Sequence, residues 1–453
     1  MTDKTVTVIG GGLAGCEAAF QLAARSVPVT LLEMRPRVPS PAHHTGALAE
    51  LVCSNSFKSK EPSTAPGMLK TELEVLGSLV LACARHAAVP AGSALAVDRV
   101  RFSAAIEAAL TSLPTLTLTR EEVSAFPDGP VIVATGPLTS PALEPALSGL
   151  VGAERLAFFD AAAPIVDADS IDRSVCFAAS RYGKGDGADY LNCPMDREEY
   201  EAFVDALLEA ERVTRKEFET DELFQACQPV EEVARRGRDA PRFGALKPVG
   251  LVDPRTGRRP WAVVQLRPED RAGAAYNLVG FQTNLTFAQQ RRVFRMIPGL
   301  REAEFLRYGV MHRNTFLDAP RLLTADLALR DDPRVRFAGQ ITGTEGYAEA
   351  AAGGLVAALG AYAALQGTVA PVLPSATAYG ALLAHATDPD TGIYQPMHVN
   401  FGILPPIEPH VRDKRARHEA LAVRGADAIA AFVRARSDLR FDLARDALAA
   451  ALP

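Results

Sequence analysis

The chain has 453 residues, 48% of them hydrophobic and 23% charged, and 48 Lys and Arg against 54 Asp and Glu give a net charge of −6. This is the composition of a globular protein of about two to three domains, which excludes disordered, fibrous and disulfide-scaffold classes. The acidic total excludes general polyanion affinity, so any nucleic-acid surface has to be a local patch.

The first predicted unit is strand, turn, helix, strand. The strand Val6–Ile9 leads into Gly10-Gly-Gly-Leu-Ala-Gly15, a helical period runs from Cys16 to Arg25, and a second strand, Val29–Leu32, ends on Glu33. No basic leader or cleavage site precedes the first strand, which predicts a soluble cytoplasmic protein. Gly67 to Ala84 reads as one helix, and Pro130 to Gly136 as a short apolar strand stopped by Thr-Gly. From about Phe158 the texture changes to short β-rich runs, Ser174–Ser180 and Asp189–Cys193, joined by a Gly-rich turn at Gly183–Gly187 that reads as a hairpin. An acidic helix follows over Asp196–Glu211. Arg235–Pro260 then carries eight Lys or Arg against two Asp or Glu. The strand Val335–Ala338 enters a second glycine-rich turn with Gly339, Gly343 and Gly346. Ala348–Leu365 has one charge in eighteen residues, and its Ala/Gly-rich composition predicts a buried helix and no membrane span. The tail after Pro405 reads as helical and mostly basic. The predicted fold class is α/β: a Rossmann-like nucleotide-binding domain in two parts, 1–157 and 311–453, interrupted by an α+β insertion over 158–310.

Gly10-x-Gly12-x-x-Gly15 has the context that a dinucleotide fingerprint requires: a strand before it, a helix after it, and an acidic residue, Glu33, ending the next strand. Gly10 permits the tight turn, Gly12 lets the backbone approach a pyrophosphate, and Gly15 lets helix and strand pack closely. The N–H groups of Gly11, Leu13 and Ala14 at the helix start favour phosphate, and Glu33 suits ribose hydroxyls, which favours FAD or NAD over NADP. Two further segments favour FAD. The strand ending at Gly136 resembles the "ATG" strand of flavoproteins of the glutathione-reductase type. The late turn with Gly339, Gly343 and Gly346 resembles their second FAD segment.

Six cysteines, at 16, 53, 83, 176, 193 and 227, are scattered with no C-x-x-C, so they read as reduced thiols and no metal site is expected. Cys53, among small polar residues, and Cys227, just before a proline and the basic stretch, are the candidates for reactivity. Nearby arginine favours a thiolate. The basic stretch, led by Arg235, Arg236 and Arg238, is the candidate polyanion contact. His312 stands alone, with no metal-ligand spacing.

Several segments go further. Val8–Ala19, Leu32–Pro36, Pro41–Thr45, Ala49–Ser56, Val89–Arg99, Tyr276–Thr283, Tyr308–Phe316, Gly339–Tyr347, Gln395–Met397 and Asn400–Gly402 resemble, in order, the bacterial folate- and FAD-dependent tRNA (uracil-5-)-methyltransferases. Ala47, Cys16 and the Arg-rich insertion depart mildly from the family pattern. The resemblance implies transfer of the methylene of 5,10-methylenetetrahydrofolate to C5 of the T-loop uridine of tRNA. Its reduction gives ribothymidine, with FAD as cofactor and NADH or NADPH as reductant. It implies that Cys53 and Cys227 are the functional thiols, that His312 faces flavin and pterin, and that the insertion holds tRNA phosphates. A pyrimidine C5 is a poor nucleophile until C6 carries a covalent donor, and the base must leave its stack to be reached. The alternatives are a flavin–thiol oxidoreductase using the two cysteines as a redox pair, and a non-enzymatic FAD-bound tRNA-binding factor.

Overall fold

A computed structural model describes residues 5–40, 42–152, 158–161, 163–184, 188–213, 228–268, 273, 275–309, 311–391, 394, 396–409 and 411–452. The first sheet is parallel and has five strands in the order Val335–Phe337, Val131–Val133, Val6–Ile9, Val29–Leu32, Leu116–Thr119. Its strands are short and apolar because helices cover the sheet, as parallel sheets require. Helix Leu13–Ala23 is buried along its whole length. Against it lies Tyr347–Gln366, which is long and apolar enough to cross a membrane, yet 83% of its apolar window is buried inside the protein. A Cβ at Gly354 would sit 2.1 Å from the carbonyl oxygen of Ala14, so the missing side chain lets the two helices meet at backbone contact. The expected α/β fold is thus observed.

One predicted helix is two. The run Gly67–Ala84 is divided into Ala65–Leu76 and Leu79–His86. Gly77 caps the first in the left-handed region at φ +79°, and the Ser78 side chain accepts from the N–H of Leu81 to start the second.

A second sheet has six strands, in the order Phe177–Ala178, Leu191–Met195, Ala262–Pro268, Ala275–Leu278, Ile165–Asp167, Phe305–Arg307, all paired antiparallel. The predicted runs Ser174–Ser180 and Asp189–Cys193 form its first pair over a shorter span, and residues 185–187 of their turn lie outside the described residues. Helix Arg197–Glu209 starts in a reciprocal capping box of Asp196 and Glu199 and buries Tyr200, Phe203, Val204 and Leu207. Two large separate cores result among the described residues. One draws on Val6–Val151 and Leu317–Ala444, the other on Val166–Ala303. Between them runs a two-stranded ribbon, Phe158–Ala161 with Met311–Asn314, in which His312 stands opposite Asp160.

Candidate active site

The glycine-rich turn leaves the first strand as the fingerprint demands. Gly10 has φ +105°, and a Cβ there would lie 2.5 Å from the Ala134 carbonyl oxygen. At Gly15 a Cβ would lie 1.8 Å from the Gly10 carbonyl oxygen, whereas at Gly12 it would meet nothing within 4 Å. Gly10 and Gly15 therefore serve packing, and Gly12 faces open space. No side chain caps the helix that follows Gly12, so its first N–H groups and the positive end of its dipole are left for an anion. The cleft in front of it is lined by Gly10, Gly12, Leu13, Ala14, Glu33, Gly136, Gly339 and Gly346.

Gly11, Gly15 and Gly343 do not line the cleft. Gly11 donates its N–H to Glu33 Oε2 at 2.8 Å. Gly343, at φ +77°, leaves room for Tyr394, since a Cβ would approach its hydroxyl to 2.5 Å. Gly339 lies against Ala14, whose Cβ would be 2.7 Å from its own, and so brings the late turn onto the first.

Glu33 is more committed than its position in the sequence suggests. Besides Gly11, it accepts from Arg35 N and Nε at 2.9 Å each and from Nη2 at 3.3 Å. Burial works to raise its pKa, and the bonds and charge of Arg35, with the Gly11 N–H, outweigh that and hold the carboxyl below its usual range. Arg35 also reaches Glu50 at 3.0 Å. Arg35 was not singled out from the sequence, although it lies in the Leu32–Pro36 segment.

Cys53 is half-buried and in no disulfide with another described cysteine. Its N–H and that of Ser54 both donate to the Tyr347 hydroxyl, at 3.0 Å each. Tyr347 is the first residue of the helix that follows Gly346, and it lines the cleft together with Val52. The thiol loop is thus pinned to the far end of the same cleft. Arg99 donates to the Leu51 carbonyl and Arg307 to the Val52 carbonyl. Asn55, fully buried, donates to the carbonyls of Val97 at 3.1 Å and Pro268 at 2.9 Å, and accepts from Arg267 Nε at 2.7 Å. The loop therefore joins the two cores. Burial pushes the Tyr347 phenol well above its ordinary pKa, so it stays protonated while accepting these bonds.

The remaining candidates are more scattered. Cys227 lies outside the described residues. The chain resumes at Gln228, and Val230 N–H donates to the Gln282 carbonyl at 2.8 Å, beside the Tyr276–Thr283 segment. His312 is on the ribbon whose end reaches the cleft, where Thr315 N–H donates to the Pro137 carbonyl at 2.7 Å. Arg235 pairs with Glu232 at 3.8 Å and Arg238 with Asp205 at 2.5 Å, both at the surface, and Arg236 is exposed.

The family described as "Glucose inhibited division protein A" matches residues 5–369. The protein named "Methylenetetrahydrofolate--tRNA-(uracil-5-)-methyltransferase TrmFO" of Heliobacterium modesticaldum is 56% identical over 430 residues, covering 95% of this chain and 98% of its own. Its namesake in Moorella thermoacetica is 55% identical over 428 residues, covering 94% and 98%. The chain belongs to the TrmFO family. Among solved structures, two crystal forms of Aquifex aeolicus GidA superpose with TM-scores of 0.69 and 0.70 at 16% identity, over 98% of this chain and 76% and 78% of theirs. That likeness shows the fold, and the TrmFO likeness shows the family, so the segments that carried the resemblance are those of a TrmFO protein.

Proposed function

We propose that this protein transfers the methylene of 5,10-methylenetetrahydrofolate to C5 of the T-loop uridine of tRNA and that the product is ribothymidine. The observation that carries this reading is the attachment of the Cys53 loop, through Tyr347, to the helix start that closes a dinucleotide cleft. The cleft suits FAD. The space in front of Gly12 is open, the helix behind it is uncapped, and backbone N–H groups of Gly12–Ala14 would hold the pyrophosphate. Bound there, FAD would supply the reducing equivalents that turn methylene into methyl, replenished by NADH or NADPH.

The protein's own part is to orient and to move protons. Cys227 attacks uridine C6, which raises electron density at C5 so that C5 takes the methylene. Cys53 then accepts the C5 proton as the carrier of the methylene departs, and when that carbon is reduced to methyl the Cys227 thiolate leaves C6 and the C5–C6 double bond is restored. The tRNA polyanion is drawn to the site by arginines: Arg235 and Arg238 sit in exposed, solvent-screened ion pairs, so phosphates can replace their carboxylates. By the family resemblance, His312 is the residue that would meet the pterin. We place the enzyme in the cytoplasm, where thiols stay reduced.

The test is a methylation assay on unmodified tRNA with methylenetetrahydrofolate and NAD(P)H, followed by nucleoside analysis. Ribothymidine that depends on folate supports the reading. Turnover of thiol substrates with no dependence on folate or tRNA would replace it with the oxidoreductase.

A further inference from the structure

We propose that an arginine-lined cleft on the second sheet, about 20 Å from the thiol loop, is a phosphate-binding site for the body of the tRNA. The distance is the length of strand Ala262–Pro268, with a rise of about 3.3 Å per residue. Its Pro268 end is bonded to Asn55 beside Cys53. Its other end, at Trp261, opens into a cleft of about 720 Å³ lined by Arg197, Arg255, Arg258, Arg259 and Arg301. The proposal rests on the tRNA reading above and adds to it where the RNA is gripped away from the reacting base.

Four carboxylates also line this cleft, each held in place by a local partner, and one of them is neutralised by an arginine. Asp253 binds Arg255 at 2.8 Å. Asp196 and Glu199 form the capping box of helix Arg197–Glu209. Asp172 accepts from the Ser174 hydroxyl at 2.6 Å. Arg258, Arg259 and Arg301 are exposed. Arg301 stands near Asp172 and, after the Ser174 hydroxyl and N–H, helps to hold its carboxyl below the usual range, while Arg258 and Arg259 form no ion pair among the described residues. Free guanidinium groups of this kind suit phosphate oxygens, which they can bind two at a time.

Arg258 and Arg259 are also held in place before any ligand arrives. The turn that carries them is closed by Asp253 N–H to the Arg258 carbonyl at 3.0 Å and Gly257 N–H to the Asp253 carbonyl at 2.8 Å. Gly257 takes the left-handed φ of +65° that such a turn needs. Beside it, Trp261 is stacked under Arg242, 3.7 Å from the ring centroid, with Arg197 at 5.4 Å on the same ring. The indole is thereby already engaged by cations, and the remaining arginines suit phosphate, which carries no sequence information.

The test compares wild-type holoenzyme with Arg258→Ala/Arg259→Ala/Arg301→Ala and with the corresponding Lys triple. Binding of unmodified tRNA is followed by fluorescence anisotropy across a salt series, with steady-state methylation in parallel. Each lost phosphate contact removes about 0.7–0.9 from the salt slope, so the Ala triple should lower the slope by about 2–3 and raise KM for tRNA about tenfold or more. Its kcat, bound FAD and NAD(P)H oxidation should be unchanged, and the Lys triple should recover most of the slope. An Ala triple that keeps wild-type slope and KM, while wild type makes ribothymidine, overturns the cleft and leaves the tRNA reading standing. A wild type that makes no ribothymidine overturns that reading itself.

Discussion

Tyr347→Phe isolates the contact that ties the thiol to the cofactor cleft. The ring would keep its packing on Phe57, whose centroid is 5.5 Å away, so the core is preserved and only the hydroxyl is lost. That hydroxyl accepts two backbone N–H groups, from Cys53 and Ser54, at 3.0 Å each. A hydrogen bond of this kind contributes about 0.5–1.5 kcal/mol net, so the loop loses about 1–3 kcal/mol of ordering. If the loop must be ordered for Cys53 to reach the C5 proton, that loss converts to a fall in kcat of roughly tenfold to a hundredfold, at about 1.4 kcal/mol per factor of ten. FAD content should be unchanged. Alkylation of Cys53 by iodoacetamide, read by peptide mass spectrometry, should become faster in the variant because the loop opens more often. A Tyr347→Phe protein with wild-type kcat and wild-type alkylation would refute the link between the phenol and the thiol.

Gly12→Val should give a folded but colourless protein, because a Cβ there meets no protein atom within 4 Å while a branched side chain fills the pyrophosphate space; a yellow variant would place the cofactor elsewhere. Gly15→Ala should instead fail to fold, since its Cβ would stand 1.8 Å from the Gly10 carbonyl oxygen, and a wild-type melting temperature would show that the strand–helix contact yields. With tRNA carrying 5-fluorouridine at the target, Cys227→Ala should form no covalent adduct on a denaturing gel and Cys53→Ala should accumulate one; the opposite pattern reverses the two roles. Lys70 is buried, which pushes its pKa from 10.5 down to about 8. Between those values the unfolded chain holds more protons than the folded one, so this residue's contribution to stability rises with pH across that window, by about 3 kcal/mol. Urea unfolding of wild type and Lys70→Met at pH 7.5 and 10.5 should show the variant losing ground to wild type at the higher pH; parallel curves would mean that Lys70 is not desolvated.

What the sequence determined by itself is what depends on neighbours along the chain. Gly10, Gly12 and Gly15 sit within one strand-turn-helix unit, and their roles follow from steric limits at those positions. The apolar Ala/Gly run was readable as a buried helix because no charge interrupts it after Glu349. The break at Gly77-Ser78 was also legible in principle, as a glycine cap followed by a serine cap, but the apolar period on either side masked it. What only the tertiary structure decided are the contacts between distant positions. Tyr347 meets Cys53 across 294 residues, and Arg267 meets Asn55 across 212, and no local pattern marks either pair. The basic stretch shows the same division. Its charge was countable, and the pairing of Arg235 with Glu232 three residues earlier is local to one helix, but only packing decides that Arg238 faces Asp205 while Arg258 and Arg259 face an open cleft, because which distant charges meet is set by the fold of the chain around them and not by their order along it.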